Sequence, residues 1–490
     1  MDIHNSDSGI IFQLINEPSD PKKLETTKKI KNNFFISVWI VFLLLFVAYS
    51  IYLLVESTDL AKINNPSTDQ IVTLVSFKVI LGVYFFISVI NIKKIINTKP
   101  WLPLIVLAGL ISRVILIPST PVLEDDYYRY MWDGAVTANG INPFKYSPLE
   151  VEKDSIHIPE ELVHLKNESG KIFENINHRH IRTIYPMLAQ FTFAAAYFIS
   201  PWQTWSWKLI LLIFDLLLFL TLLRLLKFLK MPLIFISFYW LNPILLHEFY
   251  SAAHMDLLAL PFVVLSLFSF IKKKQSIAIV LLAIATGFKV WPLVLLPFYI
   301  REIWSDKKLM FKTIAFYFGI TIILFIPVMI SGIDNSLGFV RYAEAWVNNS
   351  AFYNLFSELI KWIVSTIGLS FSYNYLLPRI GVGIIYFIIL YFIIRKRSED
   401  NFSFFEKALL IVAILFLISP AQFPWYYTWI VPLLVIRPKA ALLFYPVLLP
   451  LYNLNYISNY FIYLQHLPVI LFFMWELKTQ KMKKYFEFRV

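Results

Sequence analysis

Cysteine is absent from this 490-residue chain, which excludes a disulfide framework, a thiolate nucleophile and any Cys-based metal site. Charge is scarce, at 16% of residues. No P-loop, dinucleotide-binding glycine fingerprint, HExxH or GxSxG motif occurs, so nothing supports nucleotide-driven chemistry. No soluble domain and no clear internal repeat is visible. A cleavable signal peptide is not expected either, because about thirty polar residues precede the first apolar run, too many for a signal sequence.

What remains is apolar. Hydrophobic residues make up 58% of the chain, and the mean hydropathy is +0.64. Successive apolar runs match the roughly 20 residues needed to cross a bilayer. The formal charge of +12 sits in short basic clusters between those runs, which reads as a topology signal rather than a nucleic-acid surface. The expected fold is an all-α polytopic membrane protein with about 12 to 14 membrane segments.

Basic loops placed in the cytoplasm orient the chain. Residues 1–33 form a cytoplasmic tail, and 34–99 hold two transmembrane helices ending near Lys93, Lys94 and Lys99. The run 101–117 then exits outward into a long outer loop, 118–207, after this third span. Within it, 185–200 is expected to be a surface helix, because the next run, 207–226, ends at Arg224, Lys227 and Lys230 and must start outside. Runs 232–249 and 255–271 go out and back. Segment 276–300 is basic on both flanks and interrupted by Gly287, Lys289 and Pro292, which predicts two half-helices meeting at Lys289. Another surface helix is expected near 353–367. Residues 437–490 are read as C-terminal transmembrane helices and a basic cytoplasmic tail.

One stretch concentrates charge and aromatic rings: Glu124-Asp125-Asp126-Tyr127-Tyr128-Arg129-Tyr130-Met131-Trp132-Asp133-Gly134. It directly follows the third apolar run, at the depth of a lipid headgroup. As a helix it stacks Asp125, Arg129 and Asp133 at i, i+4 and i+8, with Asp126 beside them and aromatic residues around the rest. Such a helix would also serve as a simple interfacial anchor with solvated ion pairs. The functional alternative is that Arg129 neutralises only part of the acidic cluster. A carboxylate is then left as a general base or a metal ligand.

Other polar residues are expected on the same side. His254 and Asp256 fall at a predicted outer turn, with His247 and Glu248 close by. Asp215, inside an apolar helix, is either functional or a structural ion pair with Lys289 as one partner. Lys289 could equally neutralise a phosphate, as could the cluster His178-Arg179-His180-Ile181-Arg182. Trp346, Asn348, Trp425 and Tyr426 could stack on and bond a sugar, or form an aromatic belt.

These residues resemble a known family. The acidic pair opening the first long outer loop is similar to the modified DxD signature of the GT-C glycosyltransferases. More closely, Asp125-Asp126-Tyr127-Tyr128-Arg129-Tyr130-Met131-Trp132-Asp133-Gly134, followed by Gly140-Ile141-Asn142-Pro143-Phe144, resembles the D-D-x-Y-R-Y-x-W-D-G…G-x-N-P-Y pattern of bacterial polyprenol-phosphate-mannose-dependent mannosyltransferases. The likeness continues in order through Ile184-Tyr185-Pro186-Met187-Leu188-Ala189-Gln190, Phe214-Asp215, Asn242-Pro243, His254-Met255-Asp256, Phe288-Lys289 and Pro424-Trp425-Tyr426-Tyr427, spanning roughly 101–436. Met187 stands where the pattern has a second proline, and Met255 where asparagine is usual.

The resemblance implies a GT-C-like catalytic module over 101–436. It would move a hexose, mannose first among candidates, from a polyprenyl-phosphate sugar to a glycan or lipid acceptor outside the cytoplasmic membrane. Asp125 or Asp126 would be the base, with inversion at the anomeric carbon. Lys289, Arg182 and His254 would stabilise the departing phosphate. Glu124, Arg129, Trp132, Asp133, Tyr185, Asp256, Trp346, Trp425 and Tyr426 complete the implied substrate-binding set. No cofactor is required; a divalent metal at Asp125 and Asp126 is allowed. Two other functions compete: a transporter or flippase for a lipid-linked glycan, and a polymerase or ligase using a polyprenyl-diphosphate donor.

Overall fold

The computed structural model describes residues 21–60, 67–95, 100–153, 158–332, 334, 336–366 and 376–486, with side chains left aside at 21–32, 58–60 and 343–345. The tail 1–20 and the basic residues Lys62 and Lys99 lie outside the described residues. Among those residues the chain is all-helical, with one isolated parallel bridge, Asn348 to Ala421.

The first three long helices are α1 (Pro21–Leu60), α2 (Thr68–Ile90) and α3 (Trp101–Leu116). On α1 the buried residues Trp39, Phe42, Phe46, Tyr49 and Leu53 repeat at three- and four-residue steps, so one stripe meets α2 and α3. Leu44, Ile51 and Val55 on the other face stay exposed and apolar, as lipid contact demands. A reciprocal capping box starts α2: the Gln70 amide N–H donates to Ser67 Oγ at 3.2 Å, and the Ser67 N–H donates to Gln70 Oε1 at 2.9 Å.

Next come α4 (Asp126–Ala138), α5 (Met187–Ile199) and α6 (Thr204–Phe228). Helix α5 has 13 residues, about 20 Å, too short to span a bilayer, in line with the expected separation of 185–200 from the spans. It packs along α4 at Gly134, where an added Cβ would stand 2.5 Å from the Phe193 carbonyl oxygen. The outer loop between them folds over a small core of its own, including Trp132, Val136, Leu162, Leu165 and Phe173.

The remaining longer helices are α7 (Leu260–Ile271), α8 (Gln275–Phe288), α9 (Lys307–Ile330), α10 (Gly338–Ala345), α11 (Ala351–Thr366), α12 (Leu376–Ile394), α13 (Asn401–Ile418) and α14 (Tyr460–Thr479). Among the described residues seven helices are long and apolar enough to cross a membrane, eight spans if the bent pair Pro243–Ser251 and Met255–Ile271 is one. That is fewer than the expected 12 to 14. The run 101–117 forms a 16-residue helix, and 276–300 breaks at Lys289, which is extended. Pro424, Pro432, Pro446 and Pro450 each open a new short helix in the C-terminal run. Run 232–249 likewise is no continuous helix but a series of short turns.

The basic loops meet at one end of the bundle. Lys93 donates to the Lys484 carbonyl, Arg301 to the Arg395 carbonyl, Arg397 to Ser305, and Arg437 to Glu406. The acidic stretch lies at the other end. A buried ion pair ties the middle together: Arg113 Nε donates to Asp215 Oδ2 at 2.6 Å, Tyr250 donates to the same oxygen at 2.8 Å, and Tyr239 to Oδ1. The Arg113 guanidinium also lies 3.5 Å from the centre of the Trp240 ring. Asp215 is thus a structural ion pair, with Arg113 rather than Lys289 as its partner.

Candidate active site

A cavity of about 510 Å³ opens at the acidic end. Glu124, Asp125 and Asp126 stand on one wall. Asp125 is the N-cap of α4 rather than part of its face, so the helix brings Asp126, not Asp125, into register with Tyr130. Arg129 does not reach either acid: its Nε donates to Asp133 Oδ1 at 2.8 Å and its Nη1 to the Ile181 carbonyl at 2.9 Å. Both Arg129 and Asp133 are buried, so the polar face of α4 points inward and is not a solvated anchor.

The two adjacent aspartates are instead joined by an amide. Asn177 Nδ2 donates to Asp125 Oδ1 at 2.7 Å and to Asp126 Oδ1 at 3.0 Å. Burial against the wall and the neighbouring Asp126 charge raise the Asp125 carboxyl above its usual range, against the lowering effect of the Asn177 bond. Glu124 is pushed up much further, first by burial and then by the charges of Glu248, Asp126 and Asp125.

The floor is formed where the bent pair turns. Ala253 takes a left-handed φ of 62°, and the His254 N–H returns to the Glu248 carbonyl at 2.8 Å. This turn sets the fully buried His254 ring 3.7 Å from Glu124 and Glu248 and 3.8 Å from Asp126. The ring stacks on Trp425 at 3.7 Å. Neither ring nitrogen has a hydrogen-bond partner. His254 therefore sits among carboxylates rather than in a phosphate pocket.

The break after α8 brings Lys289 to the same cavity. Its Nζ donates to Asp256 Oδ1 at 2.7 Å, and that oxygen also accepts from Trp429 Nε1 at 2.7 Å. The ammonium lies over the rings of Tyr426, at 4.7 Å, and Trp429, at 5.7 Å. Arg182 lines the cavity too, but it clamps the loop before α10. Nη1 donates to the Ser331 carbonyl at 2.7 Å and Nη2 to the Gly332 carbonyl at 3.1 Å, with Asp334 at 2.8 Å.

Aromatic residues close the remaining sides. Tyr342 stacks on Trp346, and its hydroxyl bonds that of Tyr426 at 2.8 Å. Phe423 stacks on Trp425 at 4.4 Å, and Tyr185 meets Tyr130 edge to face at 5.0 Å. Asn348 reaches the wall through the bridge to Ala421.

Of the residues singled out in the sequence, the cavity gathers Glu124, Asp125, Asp126, Arg129, His178, Arg182, Tyr185, Lys289, Trp346, Asn348, Trp425 and Tyr426 at its surface. His254 and Asp256 stand directly behind. Trp132 and Asp133 are elsewhere: Trp132 packs on Phe173 in the loop core, and Asp133 is held by Arg129 and Gln190. Arg179 pairs with Glu152 over the Phe173 ring. Sequence reasoning did not find Asn177, Tyr342, Trp429 or Tyr452. Only Trp429 had a signal, lying one helical turn beyond Trp425 and Tyr426.

Among the described residues no group of three His, Asp or Glu side chains is arranged to hold a metal ion. The acids face an amide and a buried histidine instead. What the arrangement offers is a proton acceptor, a cation and aromatic surfaces lining one cavity. No family model, curated protein or solved structure matches this chain. Fold and site together define an all-helical, multi-span membrane protein with a polar cavity at one end.

Proposed function

We propose that the cavity is the active site of an inverting glycosyltransferase that uses a polyprenyl-phosphate hexose, mannose being the first candidate. The observation that carries this reading is that the Asn177-bridged Asp125–Asp126 pair and Lys289 line one aromatic-walled cavity. Either aspartate accepts the proton of an acceptor hydroxyl. The resulting oxygen nucleophile attacks the anomeric carbon while the bond from that carbon to the phosphate oxygen breaks. The polyprenyl phosphate leaves with one more negative charge, facing Lys289. Because phosphate is a good leaving group, no general acid is needed. Trp346, Tyr342 and Tyr426 offer ring surface to a sugar, whereas Trp425 is sandwiched between His254 and Phe423 and sets the wall behind them. No step is routed through a metal, since the donors do not converge on one.

The gathering of basic loops at the opposite end supports a cytoplasmic location for that end and an outer location for the cavity, in the cytoplasmic membrane. The acceptor is then a glycan or lipid on the outer side. Bent and broken helices also occur in transporters for lipid-linked glycans, and a polymerase or ligase would share the cavity. One experiment separates these. Purified protein in liposomes is given radiolabelled polyprenyl-phosphate mannose, a polyprenyl-diphosphate donor and candidate acceptors. Transfer from the monophosphate that is lost in an Asp125→Asn or Asp126→Asn variant supports the proposal. Lipid translocation without transfer sinks it in favour of a transporter, and transfer from the diphosphate alone favours the polymerase.

A further inference from the structure

A second cavity, of about 530 Å³, lies at the other end of the bundle. Three stretches run between the two. Helix α6 sets Trp207, in its first turn, against Tyr130 behind the first cavity, and the turn after it places Lys230 on the second; its 25 residues rise about 37 Å. Helix α13 runs from Phe402 and Glu406, in the second cavity, toward Gln422 beside Asn348. Residues 425–436 run from Trp425 in the first to Ile436 in the second. The second cavity therefore faces the opposite membrane surface.

Its charged lining is Lys230, Arg437, Lys439 and Lys483 against Glu406 and Glu476. Both carboxylates are already engaged. Glu406 takes Arg437 Nε at 2.6 Å and Lys439 Nζ at 2.5 Å, while Glu476 accepts the Ala440 and Ala441 N–H groups at 2.9 Å each. The lining keeps a cationic excess at Lys230 and Lys483. Phe402, Met231, Leu477 and Phe486 supply an apolar wall beside it.

Lys230 is at odds with its own backbone. It holds the left-handed position after α6, φ 55°, in a Schellman turn: its N–H donates to the Lys227 carbonyl at 3.2 Å and the Met231 N–H to the Leu226 carbonyl at 2.9 Å. Glycine suits that position best, so lysine there brings only its side chain, at some cost to the turn. That side chain is exposed at the cavity.

We infer that this cavity binds a phosphate-ester anion between Lys230 and Lys483, the headgroup of an anionic lipid in the leaflet opposite the carboxylate cavity. The phosphate answers the cationic excess, and the glycerol and first methylenes cover the half-buried Phe402, Met231 and Leu477. Free phosphate would satisfy the lysines but leave the apolar wall bare. This site is independent of the glycosyltransferase reading.

The test uses full-length protein in phosphatidylcholine nanodiscs, with and without phosphatidylglycerol, and compares it with a Lys230→Gly/Lys483→Gln variant. The parent is expected to gain thermal stability from phosphatidylglycerol and to retain that lipid in native mass spectrometry. The variant, relieved of the strained turn, should melt no lower than the parent in phosphatidylcholine alone. It should nevertheless lose the lipid response, with affinity down tenfold or more. If millimolar inorganic phosphate alone reproduces the parent's shift and the variant loses it, the anion site stands with a soluble source. Equal stabilisation of parent and variant by phosphatidylglycerol, or equal retention of both lipids by the parent, overturns the inference.

Discussion

Lys289 Nζ stands 2.7 Å from Asp256 Oδ1, and this bond joins the break after α8 to the bend of the paired helices at the floor of the cavity. Asp256 is 1% exposed and Lys289 18%, so the lysine alone looks into the cavity. Lys289→Met removes the cation and strands a buried carboxylate. It is expected to cost about 3 kcal/mol of stability and to lower the transfer rate by about a hundredfold. Adding Asp256→Asn should restore most of the melting temperature without restoring transfer. Recovery of transfer in the double variant would mean that Lys289 acts only as a prop.

Asn177 bonds both candidate bases. Its hydrogen bond lowers the Asp125 carboxyl, which burial has raised. In Asn177→Ala that lowering is lost, so the group needs a higher pH to ionise. If Asp125 is the base, the acid limb of the pH–rate profile moves to higher pH while the plateau rate stays close to that of the parent. An unmoved limb would rule out Asp125 as the base.

Glu124 is protonated more readily in the folded protein than in the unfolded chain. Its contribution to stability is complete below the ordinary glutamate range and is lost as pH rises through the raised value. Glu124→Gln removes that loss. Thermal melts between about pH 5 and pH 9 should therefore show the variant gaining on the parent as pH rises. A constant gap would show that Glu124 keeps its charge when folded.

The contact of Gly134 with the Phe193 carbonyl leaves no room for a methyl group. Gly134→Ala is expected to cost about 1 to 3 kcal/mol, and to push α4, with Asp126, away from α5. Melting temperature and transfer should fall together.

Asp215 pairs with Arg113 and does not line the cavity. Asp215→Asn leaves a buried guanidinium without its counter-charge, at a cost of about 3 to 5 kcal/mol. At a temperature where the variant is folded, its KM for the donor should equal that of the parent. A changed KM would make Asp215 more than structural.

Much of the site could be read in the chain before folding. The acidic pair, the break at Lys289 and the aromatic tip at Trp425 and Tyr426 are local signals, because charge, helix breakers and aromatic clusters are rare in an apolar sequence. Their convergence on one cavity could not be read in this way. Lys289 meets Asp256, 33 positions away, only because α8 packs on α7 and the bent pair folds back. Arg129 neutralises only part of the acidic set, as expected, by pairing with Asp133, but the burial of that pair could not be read: a helical projection fixes which residues share a face, but not what that face packs against.

What the sequence by itself determined is the apolar, helical character of the chain, the basic loops and the position of the acidic stretch, all of which follow from short-range composition and periodicity. Tertiary structure alone decided which ions pair. Arg113 rather than Lys289 took Asp215, Asn177 joined the aspartates, and His254 was enclosed by three carboxylates. A buried charge is stable only where partners from distant segments reach it, and those distances exist only once the helices have packed.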